Sequence, residues 1–276
     1  MEADTSMSEK YREKEQKIRA WMKENVRAGI CIAFSGGADS SLLLALAAEA
    51  AKESGSVIHA VTFDTVLHPR CDTETAKAAA ARYGACHHVL FVDELANEEI
   101  KMNPKNRCYL CKKGLFEKLL ALAEEVGAGC VMEGTNADDL KVYRPGIQAV
   151  RELGIESPLA KFGFTKAEVR ELAAKYGIPE ANRPSAPCLA TRLPYGTELI
   201  PEELEKIAAG EQFLRELGFY NVRLRLHGKI ARIETDQESF PELLACREKI
   251  LFHLKNLGFH YITLDMEGFR SGSMDE

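Results

Sequence analysis

Six residues, Ser35-Gly36-Gly37-Ala38-Asp39-Ser40, lie between an apolar run and a leucine–alanine run. Their types suit an anion. Glycines let backbone N–H groups approach an oxyanion closely. Ser35, Ser40 and Ser41 offer hydroxyl donors, and a helix starting near Ser40 adds free amides and a positive dipole end. Asp39 can hold Mg2+ or cap that helix. No Gly-Lys-Ser/Thr follows at Walker A spacing, and the pattern is not Gly-X-Gly-X-X-Gly, so neither of those nucleotide sites is indicated. A phosphate-binding turn is the expectation; a plain tight turn with an Asp cap is the alternative.

Thiols are the second chemical resource. Eight cysteines occur, at 31, 71, 86, 108, 111, 130, 188 and 246. In "NPKNRCYLCKK", Cys108 and Cys111 are three apart, so on a helix they share a face and can share a metal. Asn103 and Pro104 are expected as N-cap and first helical residue of a helix over about 104–126, which favours thiolates at its start. Two half-buried core thiols is the plainer reading. Zinc asks for a fourth ligand, whereas three cysteines with an open position suit a 4Fe-4S cluster. The third of the kind is Cys188, in the aperiodic "SAPCLATR", with Arg192 near it and Arg223 and Arg225 on a later strand. Cations near a thiol favour the thiolate.

Arg223 and Arg225 alternate with Leu224 and Leu226, so they share a strand face that suits a phosphate; a solvated face is the plainer alternative. In "GTNADD", Asp138 and Asp139 suit Mg2+ or ATP phosphates, with Arg144 as counter-charge; a helix cap and a surface ion pair is the alternative. Glu211 is a weaker acid–base or metal candidate, expected to be exposed on its helix. His87 and His88 are adjacent on a strand, point to opposite faces and read as structural.

Strands must position these groups. "GICIAF", "VIHAVTF", "HHVLFV" and "GCVMEGT" are short apolar runs separated by helical segments, which predicts an α/β fold: a parallel sheet with helices on both faces. The glycine turn closes the first strand, at the carboxyl edge where such sheets bind ligands. The tail reads helix–strand–strand–helix–strand, a small α+β domain. The expected organisation is a nucleotide domain over 1–180, a cysteine-bearing active-site loop over 181–196 and a small α+β substrate or oligomerisation domain over 197–276.

The 276 residues carry a net charge of −6, which disfavours a nucleic-acid partner. The charged first 28 residues do not read as a secretory signal, and no run of about 18 apolar residues predicts a membrane span. A cytoplasmic protein with unpaired thiols is expected.

Ser35, Gly36, Gly37, Asp39 and Ser40 match the Ser-Gly-Gly-X-Asp-Ser loop of the PP-loop ATP pyrophosphatases. With "RCYLCKKGLF", "EGTNADD", "RPSAPCLATRLPYG" and "LDMEGFRSGSM", nearly the whole chain resembles the LarE family of ATP-dependent sacrificial sulfur transferases. That resemblance implies ATP and Mg2+ at the loop, Asp138 on the ATP side, and close approach of adenylate at Gly134. It implies Arg192, Arg223 and Arg225 on the substrate, pyridinium-3,5-biscarboxylic acid mononucleotide, in nickel-pincer nucleotide synthesis. It also implies a homo-oligomer. Two sulfur sources occur in the family: sacrifice of a cysteine matching Cys188, or a 4Fe-4S cluster on cysteines matching Cys108, Cys111 and Cys188. All three are present, which favours the cluster route. A tRNA 2-thiolation enzyme, an ammonia-dependent synthetase and a non-enzymatic ATP-binding module are the competing readings.

Overall fold

A computed structural model describes residues 2–68, 71–142, 144–179 and 188–270. In chain order the elements are α1 (Glu2–Asn25), β1 (Ile30–Ala33), α2 (Ala38–Ser54), β2 (Ile58–Thr65), α3 (Cys71–Arg82), β3 (Cys86–Val92), α4 (Glu98–Lys101), α5 (Arg107–Glu125), β4 (Cys130–Met132), α6 (Gly146–Glu152), α7 (Pro158–Lys161) and α8 (Lys166–Lys175). There follow α9 (Pro201–Glu216), β5 (Arg223–His227), β6 (Ile230–Glu234), α10 (Phe240–Ala245), α11 (Arg247–Asn256) and β7 (Tyr261–Leu264). Two compact units form: one of Met1–Thr65, Arg70–Val92 and Cys108–Ser185, the other of Val66–Pro69, Asp93–Arg107 and Ala186–Glu276. The units therefore interleave in sequence, unlike the three consecutive segments read from the chain. Much of the expected cysteine loop, 181–187, lies outside the described residues, as does 271–276.

In the first unit the expected parallel sheet is present, with strand order β3-β2-β1-β4 and parallel pairing throughout. Ile30 and Ile32 of β1 enter one core with Leu42, Leu46 and Val169, while Cys31 enters the other with Leu115, Phe116 and Leu119. Burial on both faces explains why β1 is apolar at successive positions rather than alternating. The chain order reverses between β1 and β4, so the turns leaving those two strands flank the crevice where sheets of this kind bind ligands.

The second unit carries the order β5-β6-β7, antiparallel then parallel. Leu224, Leu226, Ala231 and Ile233 form its buried face; Arg223, Arg225 and His227 stand on the other. Gly210 of α9 lets that helix sit close, since a Cβ there would lie 2.7 Å from Leu224 and 3.0 Å from Leu254. The second helix expected in the tail breaks at Cys246 into α10 and α11.

One further local reading is corrected. The cysteine-bearing helix begins at Arg107, not Pro104, because Asn103 takes a left-handed conformation (φ 50°) incompatible with an N-cap. Hydrogen bonds from Asn103 Nδ2 to Pro194 O (2.8 Å) and from Gly196 N to Asn103 O (3.0 Å) hold it there, within the second unit.

Candidate functional site

The loop after β1 is shaped by its two glycines. Gly36 has φ +69°, and a Cβ there would lie 3.3 Å from Ala76 Cα, so a side chain meets both strain and backbone. Gly37, extended at φ −85°, ψ 170°, is the N-cap of α2 and offers no side-chain oxygen to the first-turn amides. Asp39 is therefore not the cap. It sits in the first turn, with Asn136 Nδ2 donating to its Oδ1 at 3.2 Å and the Lys166 ammonium on its Oδ2. The serine hydroxyls make only long contacts: Ser35 Oγ to Ser40 Oγ at 3.3 Å and Ser40 Oγ to Gly37 O at 3.2 Å. A helix start without a cap, beside exchangeable hydroxyls, wants an anion.

The turn after β4 is built against that loop. A Cβ on Gly134 would lie 3.1 Å from Asp39 Cβ and 3.2 Å from Ser40 N, so glycine is required for the packing of the two turns. Asn136 Oδ1 accepts from the N–H groups of Asp138 and Asp139 at 3.0 and 3.3 Å, which folds the Asn-Ala-Asp-Asp turn. Asp138 accepts from Lys141 Nζ at 2.7 Å and Lys166 N at 2.8 Å, and these hold its carboxyl below the usual range. Asp139 pairs with Arg144 at 2.9 Å. Ser35, Gly36, Gly37, Asp39, Ser40, Gly134 and Asp138 thus converge at one end of β1 and β4. Carboxylate, amide and hydroxyl oxygens are the donors that Mg2+ takes, so the set fits that ion.

The cysteine helix reaches the same end. Cys108 is exposed and Cys111 half-buried, one turn apart in the first two turns of α5. Lys112 donates to the buried Glu133 at 2.9 Å, which ties α5 to the turn after β4. Ser157 Oγ (2.6 Å), Thr135 Oγ1 (2.8 Å) and Thr135 N (3.0 Å) also donate to Glu133. Burial alone would raise this carboxyl; Lys112 and the hydroxyls outweigh it and keep it ionised. By contrast, burial pushes the thiols of Cys31 and Cys130 up to about 12 and about 11, which removes them as nucleophiles or ligands near neutral pH.

The second unit gathers Cys188, Arg192, Arg223 and Arg225. Cys188 precedes the tight turn Leu189–Arg192, anchored by Leu189 N donating to Leu67 O at 2.8 Å. Arg192 is almost wholly buried: Nε and Nη2 donate to both oxygens of Glu211 at 2.7 and 3.0 Å, and Nη1 reaches Thr191 Oγ1 and the Cys188 carbonyl. Glu211, expected to be exposed, is buried and also accepts from Arg215 and Leu224 N. Those donors hold it ionised against the burial that would raise it. Arg225 donates to Glu234 and, at 2.6 Å, to Thr191 O, so it braces the same turn. Arg223 differs. It donates to its neighbour's carbonyl and stacks 5.0 Å from the Phe269 ring. Burial, then the positive charges of Arg192, Arg225 and Arg215, pull its guanidinium down to about 10. A Cβ on Gly268 would lie 2.8 Å from Thr235 O, so only glycine lets the chain pass there to bring Phe269 to Arg223.

Lys166, Asn136, Glu133 and Lys112 are site residues that the sequence reading left out. "GTNADD" carries a signal for Asn136; Lys166, a lone lysine after a threonine, carries none. His87 and His88 bond to Thr62 (2.8 Å) and His59 (3.0 Å), in keeping with structural roles. Within either unit, among the described residues, no three His, Cys, Asp or Glu side chains converge as a metal site. Among the described residues no helix is long and apolar enough to cross a membrane.

A family model described as a PP-loop domain matches residues 10–108. The chain is 38% identical to an uncharacterised protein of Synechocystis sp., over 94% of this chain and 96% of that one. It is 34% identical to pyridinium-3,5-bisthiocarboxylic acid mononucleotide synthase of Lactiplantibacillus plantarum, over 90% of this chain and 89% of that one. A tRNA-specific 2-thiouridylase of Sphingopyxis alaskensis is 28% identical over 57% of this chain and 50% of its own length.

Proposed function

The chain belongs to the LarE family within the PP-loop superfamily, and on that premise we propose that it is an ATP-dependent sulfur transferase acting on pyridinium-3,5-biscarboxylic acid mononucleotide. The observation that carries the first half of the reaction is the uncapped start of α2 behind Gly36 and Gly37, with Asp39 beside it. ATP places its β and γ phosphates on those amides, and Mg2+ is held by Asp39. A substrate carboxylate oxygen attacks the α-phosphorus, the α–β bridging bond breaks, and pyrophosphate stays on the loop. The product is an acyl adenylate. Sulfide then attacks the acyl carbon, the bond to AMP breaks, and a thiocarboxylate results. Arg223 holds the substrate's phosphate, since its guanidinium has no carboxylate contact among the described residues.

Cys108, Cys111 and Cys188 fit a 4Fe-4S cluster in kind: the first two are one helical turn apart, and the third stands at the mouth of a braced turn. Bound there, such a cluster supplies an iron site for an extra sulfide. The test is anaerobic incubation with the dicarboxylate nucleotide, ATP and Mg2+, following AMP, product mass and the mass of Cys188 together. Thiocarboxylate formed with Cys188 intact and iron bound is expected. Loss of one sulfur from Cys188 per product, without iron, would replace the cluster by cysteine sacrifice. Thiolation of tRNA and not of the nucleotide would overturn the substrate.

A further inference from the structure

Lys166 is the cation at the ATP loop for which this chemistry has no role as yet. Its backbone is fixed. It is the first residue of α8, behind the reciprocal cap of Thr165 and Glu168, and its N–H donates to Asp138 at 2.8 Å. Its side chain is not fixed in the same way. The ammonium rests on Asp39 Oδ2, with the lysine side chain 37% exposed and that of Asp39 21%. Asn136 holds the other oxygen of Asp39. Both oxygens of the carboxylate that would hold the metal are thus taken by protein donors, one of them a full positive charge.

An ammonium seated on a carboxylate oxygen weakens that oxygen's hold on a divalent cation, because the two positive charges repel at contact distance. A lysine on a flexible four-carbon stem can leave, whereas a guanidinium fork would resist. Resting on the metal–nucleotide reading of the loop, we propose that Lys166 is an ion-exchange latch. Without nucleotide it neutralises Asp39 and keeps divalent metal off. When metal arrives with ATP, the metal takes Asp39, and the ammonium swings from its pinned backbone onto the phosphate oxygens. There it faces the charge that builds on the departing pyrophosphate. No bond is made or broken in the exchange; one cation replaces another on Asp39.

The measurement is Mn2+ binding by electron paramagnetic resonance on the full chain, with and without ATP. Without nucleotide, Lys166→Met binds Mn2+ about fivefold more tightly than wild type, the scale of losing a part-exposed ion pair. With ATP present, the same variant binds the nucleotide about tenfold more weakly. Lys166→Arg keeps the low metal affinity of wild type, and Asp39→Asn removes the gain in the Lys166→Met background. A lysine with a merely structural role would move both affinities the same way. Unchanged Mn2+ affinity in Lys166→Met, or a fall in both, overturns the latch. Failure of the wild type to bind ATP at all would instead overturn the nucleotide reading, which the metal-only titration does not depend on.

Discussion

Arg223 and Arg192 look alike in sequence and differ in what they touch. Arg192 gives its donors to Glu211 and to its own turn, so it acts on the site by holding Cys188 in place. Arg223 meets a backbone carbonyl and an aromatic face, and its positive form is disfavoured by burial among other arginines. A phosphate dianion would relieve that. Arg223→Ala is expected to weaken binding of the mononucleotide by about 10- to 100-fold, the range for a lost charge-assisted hydrogen bond. ATP binding should stay the same. Titration calorimetry with each ligand separates the two, and equal losses for both would remove Arg223 from the substrate. Arg223→Lys should recover only part, because an ammonium lacks the planar fork and its stacking on Phe269.

Elements show where local sequence stops being sufficient. The four parallel strands were legible because each is a short apolar run closed by a turn, and the loop after β1 because its chemistry is contiguous. The start of α5 was not: Asn103 is held left-handed by carbonyls at 193 and 194, ninety positions away, which no local pattern encodes. Glu211 was misread for the same reason. Its helix has polar neighbours, yet its partners Arg192 and Leu224 N come from a turn before it and a strand after it. Glu211→Ala leaves the buried Arg192 without its carboxylate and should cost about 3–5 kcal/mol in the second unit, read by urea unfolding. A loss under about 1 kcal/mol would mean the pair is dispensable. In the first unit, β2 and β3 set His59 against His88 at 3.0 Å, and burial, then His88, holds His59 below its ordinary value. The unfolded chain therefore takes up protons first as pH falls through about 6.5, so stability drops on acidification and is regained above it. Trp21, the single tryptophan, packs on the first unit's core and reports it alone. Its urea midpoint should fall between about pH 7.5 and 5.5, and less so in His59→Gln.

Across the whole molecule, the proposed chemistry divides into activation and attack. The residues that would split ATP lie in the first unit: the loop at 35–40, Asp39, Asn136 and Lys166. The proposed sulfur chemistry would draw on Cys108 and Cys111 of that unit and Cys188 of the other. If activation needs none of the thiols, the two halves can be uncoupled by substitution. Cys188→Ala and Cys108→Ala should still release pyrophosphate when given the dicarboxylate nucleotide, ATP and Mg2+, yet form no thiocarboxylate. Asp39→Asn should lose pyrophosphate release itself, by about 100-fold or more, because a metal-held phosphate is central to stabilising the charge that moves in the transition state. The acyl adenylate stranded in the cysteine variants can be trapped with hydroxylamine as a hydroxamate, which puts the block after activation and before sulfur transfer. Pyrophosphate release that vanished with Cys188 would break this division, since the thiol would then be needed for the adenylation step as well. Release that survived in Asp39→Asn would move the metal off Asp39 and onto the carboxylates of the turn after β4.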